Sequence, residues 1–271
     1  MKNLPQKSDK RTWMLVSDID GTLLGDEESL ARFRAWITDE RSGMYLVYAT
    51  GRKYESVADL CAGEILPEPD FVIASVGTEI FAHPQGQPFG DWCAPPRRWS
   101  AAAIRDAVQA IAGVKLQPSE FQSSLKVSLY AKEFSPNLVA SLRSALEKLA
   151  LECEIIYSGG LYLDLLPRGV NKGSAVKYLS AFLSIPLSSI VACGDSENDA
   201  SMFMEGICGV MVANAEMRLK ARGLKGIYYS PHPFAAGVHD GVLQWRQQVL
   251  LAMGDARSGE CGGFPRKETH D

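Results

Sequence analysis

Asp18-Ile19-Asp20-Gly21-Thr22 is the segment that most constrains what this chain can fold into. It follows directly on the apolar run Trp13-Met14-Leu15-Val16. A short apolar run closed by a turn reads as a buried strand, and Gly21 supplies the turn. The two carboxylates therefore stand at the carboxyl end of a strand, where open α/β sheets place their ligands. At this spacing Asp18 can attack phosphorus as a nucleophile, and Asp20 can reach past it to trade a proton with the leaving group. The same residues also suit a strand-end turn with two solvated acids, and the pair alone leaves both readings open.

The sequence around this segment predicts an α/β fold: a doubly wound parallel-sheet core with an inserted α+β cap. A helical stretch at 29–39 brings Leu30, Phe33 and Ile37 round at helical spacing, and a strand at 44–49, a helix at 54–62 and a strand at 71–75 follow. From His83 to Pro96 the chain turns to Pro, Gly and aromatic residues and reads as a linker. Helical stretches at 100–112 and 136–150 then lie beside strand-like runs at 125–130, 154–157 and 161–166, which predicts a small unit with its own sheet. Trp92 and Trp99 read as packing residues. The core pattern returns with a helix at 173–183 and strands at 190–193 and 209–212. The expected division is core 12–88, cap 89–166, core 167–252 and an unstructured tail at 253–271.

Two more strand ends carry polar clusters. Thr50-Gly51-Arg52 offers a hydroxyl and backbone N–H groups that can hold phosphoryl oxygens, and also suits an ordinary helix start. In Gly194-Asp195-Ser196-Glu197-Asn198-Asp199, Asp195 and Asp199 share one face if the segment opens a helix. Helix capping accounts for one such acid; carboxylates from two strand ends can instead hold Mg²⁺. Lys172, just ahead of a helix, can neutralise a phosphoryl group and hold the nucleophile in place. In the cap, Lys126, Ser128 and Tyr130 alternate along one strand face, and Lys126 and Asp164 are candidates for hydroxyl contacts to a ligand, against the alternative of a solvated strand face.

Composition narrows the partners. The chain has 271 residues and a formal net charge of −4, which argues against a nucleic-acid or anionic-membrane binder. No apolar stretch is long enough to span a bilayer. Cys61, Cys93, Cys153, Cys193, Cys208 and Cys261 form no CxxC pair, a pattern that fits a reducing cytoplasm. His83, His232, His239 and His270 are scattered and show no zinc-ligand spacing, so any metal is expected to be a hard, oxygen-bound one.

Taken in order, Asp18-Ile19-Asp20-Gly21-Thr22, Thr50-Gly51-Arg52, Lys172 and Gly194-Asp195-Ser196-Glu197-Asn198-Asp199 resemble the motifs of haloacid-dehalogenase-like phosphohydrolases. Within that superfamily the chain is similar to the sucrose-phosphate phosphatase family, through Tyr48-Ala49-Thr50-Gly51-Arg52-Lys53-Tyr54, Val76-Gly77-Thr78-Glu79-Ile80, Asp164-Leu165-Leu166-Pro167 and Cys193-Gly194-Asp195-Ser196. The sister mannosylfructose-phosphate phosphatases share much of this frame. The resemblance implies hydrolysis of a phosphorylated disaccharide. Asp18 would be the nucleophile and Asp20 the acid and base. Thr50, Gly51 and Lys172 would hold the phosphoryl group. Mg²⁺ would sit on Asp18, Asp20 (through its carbonyl) and Asp195, with Asn198 and Asp199 supporting that shell. A matching sugar-phosphate synthase is the implied protein partner. Two other readings stay open, a phosphosugar mutase and a non-catalytic phosphatase-like binding domain.

Overall fold

Strand β1 (Trp13–Ser17) is buried along its whole length. Its side chains alternate between two cores: Trp13 and Leu15 pack on one face of the sheet, Met14 and Val16 on the other. A strand covered on both faces belongs at the centre of an α/β sheet, and that is where the computed structural model places it. The model describes residues 11–89, 92 and 98–258, with side chains to residue 249. Cys93, Arg97, Cys261, His270 and the expected tail at 259–271 lie outside the described residues.

The elements run in chain order as β1, α1 (Glu27–Glu40), β2 (Met44–Ala49), α2 (Tyr54–Ala62), β3 (Phe71–Ala74), β4 (Glu79–Ala82), β5 (Gln87–Pro88), α3 (Ala101–Val108), β6 (Val114–Leu116), β7 (Val127–Ala131), α4 (Pro136–Lys148), β8 (Cys153–Ser158), β9 (Tyr162–Pro167), α5 (Lys172–Leu183), β10 (Ile190–Gly194), β11 (Cys208–Met211), α6 (Met217–Lys220), β12 (Ile227–Tyr229) and α7 (Phe234–Ser258). They form an eight-stranded sheet in the order β12-β11-β10-β1-β2-β3-β4-β5 and a four-stranded sheet in the order β6-β7-β9-β8. In the large sheet β1, β2, β3, β10, β11 and β12 are parallel. The chain winds outward from β1 through β2 and β3, then returns to β10 on the other side of β1. Strand order therefore reverses beside β1, which opens a crevice at the carboxyl ends of β1 and β10.

The second sheet is antiparallel and packs its own apolar cluster, including Leu129, Leu142 and Leu163, against α3 and α4. Trp99 is buried in that cluster and its indole donates to the Ser124 carbonyl at 2.7 Å; Trp92 donates to the Gly77 carbonyl at 2.9 Å. Both are packing residues.

Two sequence expectations fail in places. Part of the stretch read as linker is strand: β5 falls within it and, with β4 just ahead of it, extends the large sheet antiparallel beyond β3. Helix α7 runs through 253–258, where composition predicted an unstructured tail.

The turn after β3 packs main chain against main chain beside the site. Ser75 and Val76 both have positive φ, and the Val76 N–H donates to the Thr50 carbonyl at 2.9 Å. Gly77 has φ +97°, and a Cβ there would lie 2.2 Å from the carbonyl carbon of Asn171, the N-cap of α5. Gly169 also has positive φ, but a Cβ on it would meet nothing within 4 Å. Gly169→Ala should therefore cost about 1–2 kcal/mol from backbone strain alone. Gly77→Ala adds a collision with main chain, so its loss in chemical denaturation should clearly exceed that of Gly169→Ala. Equal losses would show that the Gly77–Asn171 contact relaxes freely.

Candidate active site

Three neighbouring strands bring the polar clusters to one edge. β1 pairs with β10 through Ser17 and Cys193 and with β2 through Ser17 and Tyr48. Asp18, Asp195 and Thr50 therefore emerge side by side just beyond the sheet, as the sequence predicts. Lys172, the first residue of α5, is fully buried and closes the group. Its Nζ donates to Asp18 Oδ1 and to Asp199 Oδ1, both at 2.7 Å.

Asp199 arrives by a route the sequence did not show. The segment after Asp195 is a 3-10 turn, Glu197–Met202, rather than an α-helix with two acids on one face. Asp199 caps that turn: its Oδ2 accepts the backbone N–H groups of Asp195 and Ser196, both at 2.9 Å. The capping role and the charge role thus fall to the two oxygens of one carboxylate.

Asp195 is fixed from the other side. Its Oδ1 accepts the Thr22 hydroxyl at 2.7 Å, and a Cβ on Gly21 (φ +80°) would lie 2.4 Å from its Oδ2. Only glycine lets the chain after Asp20 approach so closely. Oxygens of Asp18, Asp195 and Asp199 lie within 4.8 Å of one another. Lys172 takes Asp18 Oδ1 and Thr22 takes Asp195 Oδ1, which leaves the two Oδ2 atoms for a cation. An all-carboxylate donor set suits a hard, oxygen-seeking ion of the Mg²⁺ type.

The electrostatics agree with that reading. Burial lifts the Asp18 carboxyl well above the usual range; Lys172 pulls it down, and Asp199 and Asp195 push it up again. Burial first, and the charge of Asp199 second, push Asp195 up to about 7. For Lys172, burial alone would favour the neutral amine, but Asp18 and Asp199 outweigh it and hold the ammonium above its ordinary range. One lysine does not balance three crowded carboxylates, and a divalent cation would.

Asp20 points outward and is half-exposed. Arg52 grips it with two hydrogen bonds, Nη2 to Oδ1 at 2.7 Å and Nε to Oδ2 at 2.8 Å. Thr50 is buried, and its hydroxyl accepts the Arg52 N–H at 3.1 Å, so it shapes the turn in which Gly51 lies open. The Asn198 Nδ2 donates to Ser158 Oγ of β8 at 3.4 Å, and its buried Oδ1 has no hydrogen-bond partner among the described residues.

A cavity of about 760 Å³ opens between these groups and the four-stranded sheet. Asp18, Asp20, Gly51, Arg52, Asp195 and Asn198 line its floor. Lys126 and Asp164 line the opposite wall, nearly buried, with Nζ and Oδ1 3.8 Å apart. Ser128 sits opposite Asp164 in the sheet register and donates to it at 2.6 Å. The sequence missed several wall residues: Gln117, Glu120, Phe121, Tyr162 and Glu216. Tyr162 was legible, because it shares strand parity with Asp164. Nothing in the sequence marks Glu216, whose carboxylate accepts the Gly159 N–H across the cleft at 2.6 Å.

A family model for sucrose-6F-phosphate phosphohydrolase matches residues 11–246. The chain belongs to that family. It is 36% identical over 247 residues to sucrose-phosphatase 1 of Nicotiana tabacum, across 84% of this chain and 58% of that protein. The chain thus spans little more than half the length of that plant relative. It is 31% identical to the mannosylfructose-phosphate phosphatase of Agrobacterium fabrum, across 86% of this chain and 96% of that one. The solved structure of a Synechocystis sucrose-phosphatase, in complex with sucrose and phosphate, superposes with a TM-score of 0.81 at 30% identity, covering 87% of this chain and 98% of that one. The fold is that of the haloacid-dehalogenase-like phosphohydrolases.

The raised Asp195 gives a pH test. Between its ordinary 3.8 and about 7 the folded state keeps this proton and the unfolded state has lost it. Cation-free protein should therefore lose thermal stability as pH rises through that window, and level off above it. Asp18, also raised, adds to the same slope, so Asp195→Asn should reduce it in melting curves taken across pH. An unchanged slope would assign it to other groups.

Proposed function

We propose that this chain is a Mg²⁺-dependent phosphatase that hydrolyses a disaccharide phosphate, sucrose 6-phosphate, to sucrose and phosphate. The observation that carries the reading is Asp18, clamped by a buried lysine beside Asp195, at the floor of a cavity whose far wall is the polar pair Lys126 and Asp164. Residues 89–166 act as the cap that reads the sugar.

In the proposed reaction the Asp18 carboxylate attacks phosphorus and the bond from phosphorus to the sugar oxygen breaks. Asp20 delivers a proton to that oxygen. Water then attacks the aspartyl-phosphate, Asp20 takes the water's proton, and Asp18 is released with inorganic phosphate. Lys172 holds Asp18 in line, and Thr50 and Gly51 receive the phosphoryl oxygens. Asp18, Asp195 and the Asp20 carbonyl would hold Mg²⁺, whose charge would offset the repulsion between the dianion and the carboxylates. Without substrate, Arg52 holds Asp20 aside. An incoming phosphate competes for the guanidinium and frees Asp20 to work as acid.

Mannosylfructose phosphate is the second substrate candidate, because the relative of that name matches almost end to end. Against the mutase reading, the cap contributes no arginine to the cavity wall among the described residues, and a bisphosphate would need such a grip. Against the binding-domain reading, Asp18, Asp20, Lys172 and Asp195 are all present and, with Asp199, mutually placed. We further place the enzyme in the cytoplasm, in association with a matching sugar-phosphate synthase. No helix among the described residues is long and apolar enough to cross a membrane.

Phosphate release from sucrose 6-phosphate, mannosylfructose phosphate, glucose 6-phosphate, fructose 6-phosphate and trehalose 6-phosphate tests the reading. Sucrose 6-phosphate should lead, and chelation should abolish release. Preference for mannosylfructose phosphate would move the substrate assignment alone; release from none would sink the phosphatase reading. Asp18→Asn should lower kcat by at least about 10³-fold, the scale of losing the attacking group, with the circular-dichroism spectrum unchanged. Near-normal turnover would remove Asp18 as nucleophile.

A further inference from the structure

On the far side of α2 the fold assembles a second group of ligand-type side chains that no spacing in the sequence marks. Cys61 ends α2, Glu68 lies in the loop to β3, and His83 follows β4. One ligand atom from each lies within 4.8 Å of the other two. The Cys61 side chain and the His83 ring are buried, while the Glu68 carboxylate is 62% exposed and opens the site to solvent. We propose that Cys61, Glu68 and His83 bind a divalent ion of the zinc class, separate from the carboxylate centre.

The hydrogen bonds around the site favour this. The Tyr54 hydroxyl donates to the Pro84 carbonyl at 3.3 Å and lies 3.1 Å from His83 Nδ1. Tyr54 has one proton. Both contacts are satisfied when it goes to Pro84 and Nδ1–H donates to the phenol oxygen. His83 Nε2 then presents its lone pair toward the Glu68 carboxylate, which it contacts directly. Two facing lone pairs need a proton or a metal between them. A proton would explain the histidine and glutamate but gives no role to the cysteine beside them; a metal employs all three. Ligating histidines commonly fix their other ring nitrogen in this way.

Cys61 can give up its proton without leaving a gap. Its Sγ donates weakly to the Pro67 carbonyl at 3.7 Å, but that carbonyl already accepts the Tyr48 hydroxyl at 2.8 Å. Burial first, and Glu68 second, push the free thiol up to about 12, so only a bound cation draws the proton off into solvent near neutrality. Thiolate, carboxylate and neutral imidazole then balance a divalent charge. Bonds of about 2.3 Å to sulfur and about 2.0–2.2 Å to nitrogen and oxygen set ligand atoms about 3–4 Å apart. The three ligand atoms, within 4.8 Å of one another, must draw together to reach that spacing. Water fills the fourth position. The mixed N, O, S set selects zinc-class ions over Mg²⁺. Such an ion would pin the end of α2 to the turn after β4, while the start of α2 lends Glu55 and Ser56 to the wall of the catalytic cavity.

Cobalt titration of the chelator-stripped full chain, in excess Mg²⁺ to occupy the carboxylate centre, is the test. A near-ultraviolet thiolate-to-cobalt absorption band should saturate at one equivalent and disappear on addition of zinc. Cys61→Ser should abolish it. Tyr54→Phe keeps all three ligands and should weaken binding about 10–100-fold, the usual effect of removing a ligand's own partner. If Cys61→Ser loses its circular-dichroism signature, His83→Gln decides instead, with at least a tenfold loss in a folded protein. No band, a band that survives in folded Cys61→Ser, or unchanged affinity in Tyr54→Phe would each overturn the proposal. The first of these would leave an imidazolium–carboxylate pair only.

Discussion

Lys172 is a charged group with no access to water, and much of the molecule is arranged to tolerate it. An isolated ammonium in a protein interior costs several kcal/mol, and it is stable only where opposite charges meet it at close range. Here they do, from two directions: Asp18 at the end of β1 and Asp199 in the turn beyond β10. The lysine thereby ties three segments that are far apart in sequence. Each tie depends on a further fit. Asn171 caps the helix that starts at Lys172, with Ser174 completing the reciprocal bond. Gly77 and Gly173 let main chain pack against main chain around it. The resulting lattice of charges is one cation short of neutral, which makes the centre both a binding site and a source of stored repulsion.

The parts legible in the sequence are those where an apolar run stops at a polar turn. That pattern gave β1, β2, β3 and β10 and the residues that follow each, because a strand buried on both faces has no choice but continuous apolarity. The pattern fails for short or half-polar strands. β5 lies among Pro84, Gly86 and Pro88, residues that punctuate loops everywhere else, and β4 is a four-residue strand that ends just before His83. β6 and β12 are three residues each, too short to show a period. α7 does carry a helical stripe at Ala235, Val238 and Val242, but it sits behind Pro231-His232-Pro233, which reads as loop.

The site was legible in its charges and less so in its geometry. Asp195 and Asp199 were placed on one helix face; the chain makes a tighter turn, and Asp199 works mainly through its two bonds to the backbone and its one to Lys172. Arg52 stands inside a quoted motif, yet its grip on Asp20 depends on side-chain reach across two strand ends, which no spacing encodes. On the cap side, strand parity gave Lys126, Ser128 and Tyr130 a common face. Phe121 and Glu216 reach the same space from a 3-10 turn and from the residue ahead of α6, where parity has nothing to say.

Glu154 of β8 accepts hydrogen bonds from the Asn171 amide at 3.0 and 3.2 Å and from the Gly169 N–H at 2.9 Å. The stretch that carries Asp164 thus runs, braced by its neighbouring strand, straight into the cap of the helix that begins with Lys172. The two ends of the cavity are geared together through one short length of chain. A molecule that fits badly against Lys126 and Asp164 would disturb the placement of Lys172 and Asp18 as well as its own hold on the protein. Discrimination in such a machine is expressed in timing as much as in grip.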